Sequence, residues 1–407
     1  LKILLLTQWF YPETAPDIKG LQFARELIKH GHEIVVLTGF PNYPSGKIYP
    51  GYKMKFYQHE IIDGISIYRV PLYPSHDDSP IKRIFNYLSF ALSASILGPF
   101  LIKNIDIIHV YAPETVIIPG VILKKIKNVP AVHDIQDLWP DSFSSTGMSN
   151  SELFLKLAKN FCTFFYKYFE KIVVLSPGFK YKLVQYGIES HKIEVIYNWS
   201  SEISNPGKSI EKKDNDFSVL FAGNMGKAQG LDAILYAAKI IESKGLSVSF
   251  KFIGNGVEVE NLKKIKNNLS LSNCEFIPRV DKDKIGDYLL RADVLLVHLK
   301  DDPLFSITIP SKTQTYLQIG KPILMAVKGD ASKLIEDAKA GISCLPGNPE
   351  DIAEKIIFLK NLDKNELAQM GNNGKEYYTK NLSLTSGVEK FNYLFLKLKG
   401  ILDKYER

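Results

Sequence analysis

Residues 217–235 read FSVLFAGNMGKAQGLDAIL: an apolar run, glycines at 223, 226 and 230 around Lys227, then a segment with helical spacing. A buried strand that turns through glycines into a helix opens a parallel α/β unit, because glycine permits a tight turn beside the helix N-terminus. The same rhythm continues on both sides. SFKFIG, CEFIP, DVLLVHL and KPILMAV come after it, and KILLLT, EIVVLT, DIIHVY, PAVHDI and KIVVLS before it. Helical segments separate these runs, which predicts parallel, doubly wound sheets covered by helices.

Immediately upstream, residues 198–217 (NWSSEISNPGKSIEKKDNDF) are polar and poor in apolar side chains. We therefore expect a Rossmann-like lobe over 1–200, a linker over 201–216 and a second Rossmann-like lobe over 217–385, with a C-terminal helix over 386–407 able to pack back on the first. A chain of 407 residues suits two such lobes. Ligands of open parallel sheets gather outside the carboxyl ends of the strands, which predicts a binding cleft between the lobes. The formal charge of +7 permits anionic partners without choosing among them. Cys162, Cys274 and Cys344 are odd in number, far apart and without metal-ligand spacing, which fits a reducing cytoplasm. LKILLLTQWF reads as a first buried strand and not as a signal peptide. The stretch NYLSFALSASILGPFLI (86–102), behind Lys82 and Arg83, is barely long enough for a span and is interrupted by serines and Gly98-Pro99. A buried or membrane-surface helix fits it better.

Five segments hold candidate chemistry. In HLKDDPLFSITIPSKTQTYLQIGKPIL (298–324), a helix starting near Ser311 and ending at Gly320 would bring its free N–H groups, the Ser311 and Thr313 hydroxyls and the Lys312 ammonium to one spot suited to a diphosphate. A capped helix with a solvated lysine fits the same residues. The loop around Gly223, Gly226 and Gly230 is either an anion-binding loop or a tight turn, and it lacks the Gly-Lys-Ser/Thr of a Walker A motif. Gly254 and Gly256 read first as a structural turn, with a nucleobase beside the loop as the second possibility. VPAVHDIQDLWPDS places His133, Asp134, Gln136, Asp137 and Trp139 after a strand, where a base or hydrogen-bonding group would serve, although a lone histidine is more often structural. The loop GFPNYPSGKIYPGY (39–52), with Asn42 and Tyr43, suits sugars or a membrane interface, and equally an ordinary surface loop.

GHEIVVLTGFPNYPSG, NYLSFALSA, QDLWPDS, SPGF, FAGNMGKAQGL, LLVHLKDDPLF, TIPSKTQTYLQIGKPIL and the late G-N-P-E-D occur in that order. With these words the chain resembles, over nearly its full length, the family 4 glycosyltransferases of the GT-B fold, and within them the bacterial O-antigen and capsule enzymes typified by N-acetyl-L-fucosaminyltransferases. The resemblance implies a hexosyltransferase that takes a UDP-sugar and transfers its sugar with retention, without an obligatory metal or other cofactor. Its acceptor would be a saccharide, free or linked to polyprenyl diphosphate. The protein would sit peripherally on the cytoplasmic face of the inner membrane and would not bind nucleic acid.

Carried over residue by residue, the diphosphate site falls at Gly223, Asn224, Gly226, Lys227 and Gln229 and at Ser311, Lys312 and Thr313. The nucleobase falls near Gly254 and Arg279, and the ribose near Thr315. Lys312 and Lys227 would neutralise the leaving group, Asp137 and His133 would be the catalytic groups of the first lobe, and Gln136, Trp139, Asn42 and Tyr43 would face the acceptor. Departures are visible as well. ETAPDIKG stands where many members have a Gly-Gly pair, and Gln136 where histidine is frequent. Asn224 and Gln229 replace the usual Arg and Lys, and Thr315 replaces the ribose-binding glutamate. Two rival readings share the architecture: a UDP-sugar 2-epimerase, and a non-catalytic sugar-binding protein.

Overall fold

In a computed structural model, which describes residues 1–13, 20–75, 80–145, 151–200 and 217–401, the chain forms two compact units. One comprises Leu1–Tyr197 with Leu384–Arg407, the other Asn198–Ser383. The expected linker over 201–216 lies outside the described residues.

The first unit contains β1 (Lys2–Thr7), β2 (Glu33–Gly39), β3 (Gln58–Ile62), β4 (Ile65–Val70), β5 (Ile107–Tyr111), β6 (Ala131–Asp134), β7 (Lys171–Val174) and β8 (Ile193–Val195). They form one sheet in the order β3-β4-β2-β1-β5-β6-β7-β8, parallel except for the β3–β4 hairpin. Strand β1 is buried from Ile3 onward because helices cover both faces, which is why its sequence runs apolar without alternation. The hairpin departs from the all-parallel expectation. Asp63 and Gly64 take φ of 52° and 77°, the left-handed pair that a two-residue turn between right-twisted strands requires.

Helix α1 (Gly20–Lys29) buries Phe23, Ala24 and Leu27. The C-terminal helix Leu384–Leu398 packs on it: the Phe391 ring meets Phe23 edge-on at 5.1 Å, and Asn392 bonds the His32 ring at 2.7 Å. The C-terminus thus completes the first unit. Helix α2 (Pro80–Leu101) is long and apolar enough to cross a membrane by length and composition. It buries Phe90, Ala91, Ala94 and Leu97 and packs against α3 (Ile117–Lys127). Its opposite side leaves Ile84, Phe85, Leu88, Leu92, Ile96 and Phe100 exposed.

The second unit contains β9 (Phe217–Ala222), β10 (Val248–Ile253), β11 (Cys274–Ile277), β12 (Val294–His298), β13 (Ile323–Ala326) and β14 (Gly341–Ser343). The order β11-β10-β9-β12-β13-β14 is parallel throughout. The chain winds outward from β9 in one direction and then resumes on its other side at β12, so the carboxyl ends of β9 and β12 flank a topological switch point. Phe221, Phe250, Phe252, Leu235 and Ile356 lie in the core beneath it.

Candidate active site

At the end of β9 the chain enters the glycine loop already singled out. Gly223 has φ of 138° and donates its N–H to the Ile253 carbonyl at 2.9 Å; Met225 donates to Asn255 at 2.8 Å. The loops after β9 and β10 therefore lie backbone against backbone. A Cβ on Gly254 would stand 2.0 Å from the Gly223 carbonyl oxygen, and one on Gly256 2.3 Å from that of Met225. Glycine at 254 is required by this approach, so its contribution to a donor site is to hold the Gly223 loop in shape.

The helix Ser311–Ile319 begins and ends as its residues predict, with Gly320 in the left-handed conformation at its C-terminus. Lys312 lies in its first turn. Its Nζ has no exposed surface and no hydrogen-bond partner, and sits 3.6 Å from the centroid of the Phe221 ring. A Cβ on Gly223 would come within 3.2 Å of that Nζ. Burial without a counter-charge lowers the Lys312 pKa from 10.5 to about 7. The aromatic face compensates the cation only in part. Helix and strand are joined by Tyr316, one turn after Lys312, whose hydroxyl accepts the Ala222 N–H at 2.9 Å. The Lys312 amine is thereby delivered to a glycine loop, residues 223–230, that has no acidic side chain.

The other donor-side residues divide. Lys227, Asn224 and Ser311 are exposed, and Thr313 is fully buried with its hydroxyl unpartnered. Gln229 Oε1 accepts the Gly226 N–H at 2.9 Å, so this side chain closes its own loop. Arg279 is exposed, and its backbone N–H lies 3.4 Å from the Asn255 side-chain oxygen. Thr315 bonds the Ser200 hydroxyl at 2.8 Å, where a carboxylate was expected to be missing.

His298, at the end of β12, carries no role in the sequence reading yet binds two segments of this site. Its Nδ1 lies 2.6 Å from the Gln229 carbonyl and its Nε2 accepts the Gly347 N–H at 3.0 Å. These partners select a neutral ring with the proton on Nδ1, and burial lowers its pKa, consistent with that state. The two aspartates that follow serve the scaffold: Asp301 pairs with Lys328, and Asp302 caps the helix Pro303–Ser306 by accepting the Leu304 N–H at 2.8 Å.

In the first unit two of the expected site residues are buried. His133 is 1% exposed, with Nδ1 3.4 Å from the Val110 carbonyl and Nε2 3.1 Å from Glu114, which also accepts from the Tyr166 hydroxyl. Both ring nitrogens are thus engaged within the core of the first unit. Asn42 is likewise buried and is occupied by the Phe40 carbonyl and Asn86. Gln136 donates to Asp134 at 2.7 Å, Trp139 lies against Phe143, and Asp137 is exposed. Tyr43 faces Trp9, ring centroids 5.2 Å apart, and Trp9 in turn meets Tyr87 at 5.9 Å.

The organiser of this corner is Glu13, from the stretch read only as a departure. Its Oε1 accepts the Asn42 and Tyr43 N–H groups, both at 2.8 Å, and its Oε2 that of Phe10 at 3.0 Å. Burial raises its pKa from 4.5 to about 7, against the lowering effect of those N–H groups and of Arg69. The signal that could have exposed it was a single carboxylate between two aromatic loops.

Comparison with known proteins gives these sites a context. Residues 21–199 match the model described as Glycosyltransferase Family 4, and residues 205–377 the model described as Glycosyl transferases group 1. The putative colanic acid biosynthesis glycosyl transferase WcaI of Escherichia coli (strain K12) is 25% identical over 328 residues, covering 75% of this chain and 79% of that protein. The probable glycosyltransferase WbjE of Pseudomonas aeruginosa is 24% identical over 270 residues, covering 63% and 66%. Among solved structures, Anabaena HepE in complex with UDP and glucose superposes with a TM-score of 0.68 at 16% identity, covering 97% of this chain and 99% of that one. The sucrose-phosphate synthase of Thermosynechococcus elongatus gives 0.70 at 13%, covering 98% of each. Consecutive family models over both units, on two mostly parallel α/β sheets shared with these enzymes, make the chain a family 4 glycosyltransferase of the GT-B fold.

Proposed function

We propose that the protein transfers a sugar, N-acetylated or 6-deoxy, from a UDP-sugar to a saccharide acceptor with retention of configuration, in the assembly of a surface polysaccharide such as O-antigen or capsule. The observation that carries this reading is the buried, unpartnered Lys312 ammonium against the Gly223 loop. HepE, of the same fold, is recorded with UDP, UDP-glucose and glucose.

In the proposed reaction the bond from the sugar C1 to the β-phosphate oxygen breaks with its electron pair going to UDP. A bond from the acceptor oxygen to C1 forms on the same face, and the acceptor's proton is released. Lys312, the N-terminus of its helix and the exposed Lys227 meet the charge that develops on the diphosphate, where fixed positive groups help most. Tyr316, Gly254 and His298 hold those donors in place. Asp137 is the first unit's candidate for hydrogen-bonding the acceptor hydroxyl. Lysines in this role remove the need for an obligatory metal, so turnover is expected to survive chelation with EDTA.

The acceptor is proposed to be lipid-linked and the enzyme peripheral on the cytoplasmic face of the inner membrane. The exposed apolar side of α2, with Lys82 and Arg83 at its start, supports this. Flotation with anionic liposomes tests it, and a protein that stays in the soluble fraction contradicts it. For the donor, UDP should raise the unfolding temperature of the wild type and not of Lys312→Met. A 2-epimerase would convert the UDP-sugar without any acceptor; a transferase releases UDP only with one.

A further inference from the structure

Helix α2 presents two chemically distinct sides. Ile84, Leu88, Leu92, Ile96 and Phe100 follow at four-residue spacing, all at least 46% exposed, and form an apolar stripe that winds obliquely along the helix. At the N-terminal end of the same helix, Asn86 accepts from Gln8 at 2.5 Å and donates to Asn42 at 3.3 Å, which turns that end toward the chain following β1 and β2. Tyr87 meets Trp9 there, and its phenol interacts electrostatically with Arg83, Tyr43 and Asp137. The Nε of Arg83 is buried in this corner with no hydrogen-bond partner. Trp9, Tyr43 and Tyr87 are half-buried, so part of each ring is open to a ligand.

A desolvated guanidinium N–H without an acceptor is costly, and an anionic ligand would relieve it. Arginine's planar fork matches phosphate oxygens, and aromatic rings suit the apolar faces of sugars. The apolar stripe occupies the other side of the same helix, and its first residue, Ile84, follows Arg83 in the chain. We propose that the Arg83 corner binds the phosphate of a lipid-linked saccharide, with the aromatic rings on its first sugar and the stripe seated in the membrane that carries the lipid. This rests on the lipid-linked acceptor proposed above.

The occupant of the stripe is argued from charge. Residues 80–105 contain no acidic side chain, and Lys125 and Lys127 lie at the end of the adjoining α3 beside the exposed Ile126, where Lys124 is paired with Glu170. A second copy seated symmetrically would set basic rim against basic rim, whereas an anionic lipid surface complements it.

The test titrates farnesyl diphosphate and farnesol into the full chain with UDP at saturation, so that the donor diphosphate site is filled. The wild type is expected to bind farnesyl diphosphate at least tenfold more tightly than farnesol. Arg83→Gln should reduce that preference to under threefold while unfolding at the same temperature, and Arg83→Lys should retain part of it. Equal binding of the two probes, or a preference that survives Arg83→Gln, overturns the site. Vesicles of phosphatidylglycerol distinguish the source of the phosphate: the variant should still float with them, and loss of flotation in Arg83→Gln would assign Arg83 to bulk headgroups and overturn the proposal. Wild-type flotation without a diphosphate preference leaves the lipid-linked reading intact and removes only this site. If the wild type neither floats nor prefers the diphosphate, the lipid-linked reading falls with it.

Discussion

Replacing Lys312 with methionine should make the empty protein more stable and nearly inactive. In the folded chain the ammonium is buried without a counter-charge, and its pKa falls from 10.5 to about 7. At about 1.36 kcal/mol per pH unit, that drop sets a ceiling of about 5 kcal/mol on the cost of keeping this lysine charged. The Phe221 ring recovers part of it, so we expect Lys312→Met to gain about 1–3 kcal/mol at pH 7. For a unit of this size that corresponds to roughly 2–12 °C in unfolding temperature. The sign of the pH dependence follows from proton binding. Between pH 7 and 10.5 the unfolded chain holds the proton and the folded chain does not, so Lys312 makes wild-type stability rise with pH across that window. The variant loses this slope. Its turnover should fall on the order of a hundredfold or more, as for a lost donor to developing charge. Thermal unfolding of both proteins across pH, with and without UDP, is the assay. A variant that is less stable at pH 7, or that binds UDP as the wild type does, refutes the reasoning.

Glu13→Gln should destabilise the first unit by about 1–3 kcal/mol, because the amide keeps one acceptor oxygen for Asn42 and Tyr43 but sets a nitrogen that cannot accept against the Phe10 N–H; an unchanged denaturant midpoint would contradict the assignment. His298 has a lowered pKa, so its contribution to stability is present above about pH 6.5 and declines as the pH falls, when the unfolded chain takes up a proton the folded ring resists. His298→Phe should abolish that acid sensitivity and raise KM for the UDP-sugar more than it lowers kcat, measured by initial rates at pH 5.5 and 8. Gly254→Ala combines φ of 142° with a clash against the Gly223 carbonyl and should cost at least about 2 kcal/mol and weaken UDP binding. Calorimetry of the variant reads both.

Much of this architecture is written in local pattern. Apolar runs such as KILLLT and DVLLVHL become buried parallel strands, and the Ser311 helix runs to Gly320 as read. The β3–β4 hairpin escaped because its outer strand alternates between half-buried and exposed residues at a sheet edge and lacks a continuous apolar run. Side-chain roles were less legible, since they depend on closure over distance. His298 meets Gly347 across 49 residues and Tyr316 meets Ala222 across 94, and neither pairing leaves a local trace. The burial of His133 and Asn42 was illegible for the same reason: polar residues after a strand suggest an open site, whereas Glu114 and Asn86, distant in sequence, are their partners. Lys312 was read as a cation at a helix mouth. Its burial, which lowers its pKa to about 7, and its seat on the Phe221 ring required the packed structure.

The central claim is that Lys312 meets the diphosphate of the donor, and proton uptake on UDP binding tests it most directly. At pH 8 a lysine of pKa about 7 is largely neutral, and a bound diphosphate would return it to the charged form, taking up roughly one proton. Titration calorimetry of UDP in buffers of different ionisation enthalpy measures that number. The account predicts close to one proton for the wild type and close to none for any residual binding by Lys312→Met; UDP binding to the wild type without proton uptake would contradict it.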